Sequence, residues 1–249
     1  MARLKGIIKI EGTLDELTFY KTQDGHLVKT KSGVSGDRIA NDPTFQRTRE
    51  NGSEFGSAAT AGKLLRDAVR TLMLTASDNR VTSRVTQLMT IIKDYDATSA
   101  RGDRSVGVGI AAPGATDELK NFDFNISAIL SSILYKPYAV NTGTGVISIT
   151  GLVPINDIAY PAGATHVTIR GAWAKVDFAA NTSAVEYTNA VNLVIDGTSG
   201  NVTLTPAAVP AGAGTGLFLL AVEFFQEVNG VQYTLKNGAF NSLSIVEIA

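Results

Sequence analysis

From His166 to the end of the chain, apolar and polar residues alternate with a period of two, in six runs set apart by turn-forming residues. HVTIRGAWAKVDF (166–178), AVEYTNAVNLVI (184–195), NVTLT (201–205), GLFLLAVEFFQEV (216–228), VQYTLK (231–236) and LSIVEI (243–248) read as strands. Alternation of this kind sends successive side chains to opposite faces of a sheet. Asp196-Gly197, Asn229-Gly230 and Asn237-Gly238 stand between the runs, and such dipeptides tolerate the positive φ of tight hairpins. Six strands at this spacing predict an antiparallel two-sheet sandwich. FDFNI (122–126) and GVISIT (145–150) are candidates for two more.

Charge thins out where this pattern begins. Residues 1–104 hold 17 of the 22 Lys and Arg and 13 of the 23 Asp and Glu, so the first part is mildly basic and the rest acidic. The shift near Arg101–Ala115 sets the expected division: an N-terminal β arm over 1–35, a helical hairpin over 36–104 and an antiparallel β-sandwich over 105–249. The expected fold class is therefore α+β, mainly β. GVGIAA (107–112) reads as the linker, because Pro113-Gly114 denies it the long helix of a dinucleotide-binding loop.

In the arm, GIIKIEG (6–12), LTFYKT (17–22) and LVKTK (27–31) read as short strands, with Asp24-Gly25 at a hairpin turn. Two or three strands make little core of their own, so this element needs something to lie against. A helix begins at Asn41-Asp42-Pro43, where Asp42 suits the N-cap and Pro43 the first helical position. Phe45, Gly52, Phe55, Ala59, Gly62, Leu65, Val69 and Leu72 then recur at helical intervals. A second helix is expected from Ser77 or Asp78, with Val81, Val85, Leu88, Met89 and Ile92 on one apolar face.

Gly52, Gly56 and Gly62 are the anomaly. A glycine inside a helix costs about 0.8–1 kcal/mol relative to alanine. Small residues four apart let helix backbones approach closely, either in the second helix of the same chain or in another copy. The alternative is that Asn51-Gly52 ends one short helix and Ser53 caps the next.

The inventory for catalysis is thin. There is no cysteine, which excludes disulfides, thiol catalysis and Cys-ligated metals. His26 and His166 stand at no metal-ligand spacing, and no G-x-S-x-G elbow accompanies them. No catalytic, cofactor-binding or metal-binding residue is therefore expected, and the chain reads as a non-enzyme. Arg101-Gly102-Asp103 and the four N-x-S/T sequons at Asn51, Asn125, Asn181 and Asn201 are ordinary for this composition. Arg38, Arg47, Arg49, Lys63, Arg66 and Arg70 interleave with acidic residues, so no nucleic-acid partner is expected. No apolar run approaches the roughly 20 residues of a spanning helix, so no membrane insertion is expected. The opening segment reads as lacking a signal peptide. The expectation is a cytoplasmically made chain that leaves, if at all, as part of an extracellular assembly or particle.

Three features favour self-association. The arm has strands without core. The final run LSIVEI offers a strand for pairing across subunits. The opposed charge of the two halves suits head-to-tail contact. Ile7, Ile8, Ile10, Phe19 and Tyr20 in the arm, with Phe45 and Phe55 at the helix, are the expected subunit contacts.

MARLKGIIKIEGTLDELTFYKTQDGHLV and IANDPTFQRTRENGSEFGSAATAGKLLRDAV resemble a group of uncharacterised bacterial proteins of Bacteroidota type. A short β arm before an Asn-Pro-Thr-type helix also looks like small structural proteins of phage-like particles, although here Asp42 separates Asn41 from Pro43. The resemblance implies no activity. It agrees with a structural subunit that assembles with copies of itself into a filament, tube or phage-like particle. The alternative is a sandwich-type binding module for glycans or a cell surface. That module would use loops 137–146 or 196–201, with Tyr135, Tyr138 or Trp173 as stacking platform.

Overall fold

The computed structural model describes residues 2–3, 10–30, 33–235 and 238–249. The fold is α+β and mainly β, with every strand pairing antiparallel. It divides into two units, residues 1–49 and 50–249.

The first unit holds β1 (Ala2–Arg3), β2 (Gly12–Leu14), β3 (Leu17–Thr22) and β4 (Gly25–Thr30), in the order β1-β4-β3-β2. Ile7 and Ile8 lie outside the described residues. Two tight hairpins set the register: Leu14 faces Leu17 across Asp15-Glu16, and Thr22 faces Gly25 across Gln23-Asp24. Asp15 takes φ 51° and Gly25 φ 111°, so each turn has a positive-φ residue beside its corner. After the sheet, Ser35 caps α1 (Gly36–Asn41), its hydroxyl accepting the Arg38 N–H at 3.3 Å. Asp42 then caps a 3₁₀ turn, Pro43–Phe45, accepting the Thr44 N–H at 2.9 Å and the Thr44 hydroxyl at 2.7 Å. Those bonds from Thr44 hold its carboxyl below the usual aspartate range. Asp42 and Pro43 thus take the cap and N1 positions that the sequence predicts, but for a 3₁₀ turn. Phe45 ends that turn ahead of the long helix.

The second unit is built around one sheet with both faces covered. Its helices are α2 (Gln46–Ala68, which starts at the end of the first unit), α3 (Arg70–Met73), α4 (Val81–Asp94), α5 (Val106–Gly109), α6 (Leu130–Ile133) and α7 (Pro154–Asp157). Its strands are β5 (Ala139–Val140), β6 (Ile147–Leu152), β7 (His166–Asp177), β8 (Thr182–Tyr187), β9 (Val191–Val194), β10 (Gly200–Leu204), β11 (Thr215–Val228), β12 (Val231–Thr234) and β13 (Ser242–Ile248). Two long strands, β7 and β11, pair from His166↔Phe225 to Val176↔Thr215. β8 and β9 share the outer edge of β7, and β12 and β13 share that of β11.

Parity along β11 divides the core. Leu217, Leu219 and Ala221 join Ala172, Ala174 and Val176 of β7 beneath the helices, against Ala58, Leu65, Val85, Met89 and Ile92. Phe218, Leu220, Val222 and Phe224 join Val167, Ile169 and Trp173 against Ile147, Ile149, Val202 and Leu204 of the three-stranded β10-β6-β5 sheet. This is the expected sandwich with a helical layer added on its outer side. It also explains why GLFLLAVEFF is apolar at both parities: a strand covered on both faces has no solvent side. Along β13 Leu243 and Ile245 face the helices and Val246 the sandwich core, and a bulge between the Leu219↔Ile245 and Phe218↔Glu247 pairs brings Ile248 back to the helix side.

The helical hairpin is α2 and α4, joined through α3 and a turn. The helix begins at Val81 rather than at Ser77 or Asp78. The Asp78 carboxylate instead accepts the Arg80 N–H at 2.6 Å and the Ile126 N–H at 2.9 Å, and pairs with Arg84. All five residues of the expected apolar face of α4 are buried. GVGIAA holds a tight packing contact: a Cβ at Gly109 would stand 2.2 Å from the Ile92 carbonyl oxygen, and one at Gly107 would stand 2.7 Å from Ala179 Cα.

Candidate functional site

α2 runs unbroken through all three glycines, so Asn51-Gly52 does not end a helix. Gly62 answers to an intrachain neighbour. A Cβ there would meet Val85 Cγ1 at 3.2 Å and Met89 Cγ at 3.5 Å, so its absence lets α4 close on α2. Gly52 and Gly56 face open space, with nothing within 4 Å of a Cβ. Beside them Phe55 is 60% exposed, and with Ile91 (40% exposed), Thr82, Thr86 and Gln87 it lines a shallow groove of about 550 Å³ between α2 and α4.

In the first unit, no described residue of the β2–β4 strands is buried. Ile10 is 38% exposed, Leu14 and Leu17 are exposed, and Phe19 and Tyr20 are half-buried. Phe19 stands across from Gly12 on one side and Val28 on the other, and Tyr20 is opposite Leu27. Phe45 is half-buried with the Arg38 guanidinium 5.6 Å from its ring centroid. Of the expected contacts, Ile10, Phe19 and Tyr20 thus fall on or beside one sheet, Phe45 on the following turn and Phe55 on the α2 surface.

The last strand cannot serve as expected. β13 pairs with β11 on one edge, and on its other edge 121–124 bonds to it: Asn121 N–H to Ile245 O at 2.8 Å and Phe124 N–H to Leu243 O at 2.8 Å. Both edges are consumed within the chain, which removes LSIVEI from pairing across subunits. Trp173 is likewise no sugar platform, being 6% exposed and stacked on Phe218 with centroids 5.2 Å apart. The Arg-Gly-Asp tripeptide is pinned at its centre, where the buried Gly102 N–H donates to Glu54 Oε1 at 2.8 Å. The Asn125 sequon is sealed in the core, its amide donating to the carbonyls of Gly238 and Asn241.

Several buried charges are structural. Lys93 Nζ lies 2.6 Å from Glu54 Oε2 and 2.7 Å from Asp94 Oδ1. The Lys93 and Gly102 bonds hold the Glu54 carboxyl below its usual value. Burial would pull the Lys93 amine down, but its bonds to Asp94 and Glu54 hold it up. Asp96 gathers donors from Thr98, Ser99 and Ser105 that outweigh burial and depress its pKa strongly. Thr165, His166 and Glu227 line up as hydroxyl, imidazole and carboxylate, at 2.9 Å and 3.5 Å. The Thr165 hydroxyl also accepts the Glu227 N–H at 2.7 Å and reaches the Phe225 carbonyl at 3.4 Å, so it ties these two strand ends together. Among the described residues no group of three or more His, Cys, Asp or Glu is placed to hold a metal ion, and no helix is long and apolar enough to cross a membrane.

One cleft was not foreseen as a unit. Asp123, Tyr135, Lys136, Tyr138 and Ser244 come together around about 670 Å³ beside α6. The sequence offers loop 137–146 with Tyr135 and Tyr138 as aromatic platforms, but nothing in it ties them to Asp123 or Ser244. Comparison with protein-family models, curated proteins and solved structures found no match for the chain.

Proposed function

We propose that this chain is a non-enzymatic structural subunit that associates with further copies of itself, in a filament, tube or phage-like particle. The observation that carries this reading is the N-terminal sheet. It brings Leu14, Leu17, Phe19, Tyr20, Leu27 and Val28 into one paired element, yet none of them is buried. Apolar surface removed from water is worth about 25 cal/mol per Å². A sheet that leaves so much of it accessible gains from a second surface, and another copy is the partner of matching chemistry. The Phe55 groove and the uncovered Gly52 and Gly56 add a second face of the same uncharged kind.

The test is multi-angle light scattering on a gel-filtration column, with negative-stain images, of the untagged full-length chain and of a chain lacking residues 1–35. The expected result is an ordered polymer or large discrete oligomer for the full chain, and a folded but shorter assembly or monomer for the deletion. A full-length chain that stays monomeric at all concentrations overturns the reading. So does a deletion that unfolds the rest.

A further inference from the structure

The cleft beside α6 has the size of a small-molecule site, and its lining mixes apolar and aromatic side chains with almost as many polar groups. Leu130, Leu134 and Ser244 are buried at its base, with Asp123 half-buried among them. Tyr138 is half-buried in the lining, and Tyr135 carries its ring to solvent at 59% exposure.

Asp123 gives the cleft its chemistry. Its Oδ1 accepts the Leu130 N–H at 3.0 Å, and Ser244 beside it in the lining acts to lower its pKa. A carboxylate offers about four lone-pair positions, so acceptor capacity remains for a ligand in the cleft. Burial pushes its pKa up, outweighing those donors and the charge of Arg84. An added hydroxyl donor would therefore meet an acceptor short of partners.

The neighbouring charges narrow the ligand class. Lys136 Nζ lies 3.6 Å from Asp157, and Lys120 Nζ lies 2.6 Å from Glu247. An anionic ligand would find those cations already engaged and would face Asp123 as a like charge. A cationic ligand would be drawn to Asp123 but would share the cleft with Lys136. A neutral ring with many hydroxyls meets neither obstacle. Its C–H face matches an exposed phenol ring, and its hydroxyls match a carboxylate, a serine and an amide, here Asp123, Ser131 and Asn121.

We propose that this cleft binds a neutral sugar ring, with Tyr135 as its stacking platform and Asp123 as the acceptor for its hydroxyls. The site lies wholly within the second unit and does not depend on subunit assembly.

The experiment uses the full-length chain and a fixed panel: glucose, galactose, mannose, N-acetylglucosamine, cellobiose, lactose and chitobiose. Saturation-transfer NMR detects contact and isothermal titration gives the affinity. At least one sugar is expected to bind with a millimolar or tighter Kd. Tyr135→Ala and Asp123→Asn are each expected to weaken that binding about tenfold, the size of one lost stacking contact or hydrogen bond. Because Tyr135 is exposed, Tyr135→Ala should keep the parent melting temperature and so remains informative if Asp123→Asn disturbs the base of the cleft. Failure of the whole panel overturns the proposal. So does sugar binding that Tyr135→Ala leaves unchanged, or binding of tetramethylammonium without any sugar.

Discussion

Lys93 and Glu54 form an ion pair of 2.6 Å that is almost wholly withdrawn from water, closed on its far side by the Gly102 N–H. It ties α4 to α2 and holds the 101–103 turn against both. Removing one member of such a pair strands the other in the interior, at a cost of about 3–5 kcal/mol when nothing else compensates. Asp94 offers Lys93 a second, exposed partner, so Glu54→Ala is expected at the lower end, about 3 kcal/mol. Replacing both, as Glu54→Leu with Lys93→Met, should cost much less than the single change. Urea unfolding of the parent and the two variants checks the order, and a double variant no better than Glu54→Ala would refute it.

Acid should destabilise the protein through the same residues. The folded carboxyls of Glu54, Asp78 and Asp96 sit below their ordinary values, so the unfolded chain binds more protons. Their contribution is complete above those ordinary values, 4.5 for Glu and 3.8 for Asp, and is lost as pH falls through the folded ones. Asp123 acts in the opposite sense, since its raised pKa favours the folded state in acid. Asp42, Asp67 and Glu247 are lowered as well, so the raised carboxyl of Asp123 is outnumbered and the net is a loss. Urea midpoints should be flat from about pH 5 to 8 and fall below about pH 4.5.

The helical glycines should separate into two kinds. Gly52→Ala and Gly56→Ala meet open space and should each stabilise the isolated chain by about 0.8–1 kcal/mol. If the α2 face is a contact between copies, the same changes should weaken self-association in light scattering. Gly109→Ala meets the Ile92 carbonyl at 2.2 Å and should lose about 2–3 kcal/mol, the range of an overpacked core. Equal melting temperatures for all three would refute the distinction.

Trp173, the single tryptophan, reports on the sandwich core. Its fluorescence should be blue-shifted and resistant to acrylamide in the folded chain. It should not respond to sugars that bind beside Asp123. Ready quenching under native conditions would place the indole at the surface and contradict its packing on Phe218.

Much of this fold was legible because alternation and turn chemistry agree. All six expected strand runs form strands, and Asn229-Gly230 turns with φ of 53° and 77°. Side-chain bonds to the backbone escaped the reading. The run 184–195 looks continuous but divides into β8 and β9, because Asn189 leaves the sheet to bond Thr203 O and the Thr205 N–H beside β10. FDFNI makes one bridge, Asp123↔Ser244, since Asp123 and Asn125 turn their side chains to the backbone instead. The Asp123 cleft escaped for another reason. It gathers residues more than a hundred positions apart, and no local pattern carries that information.

β11 has one more consequence. A strand apolar at both parities has no preferred side, and sliding it by one residue would exchange one greasy face for the other at little cost. Glu223 breaks that tie. Its carboxylate meets Arg170 at 2.5 Å and the Thr75 hydroxyl at 2.7 Å on the helix side. The slipped alternative would push it against Ile147, Ile149, Val202 and Leu204 of the facing sheet. The one charged residue in the buried stretch of the strand is thus the one that tells the two long strands how to align.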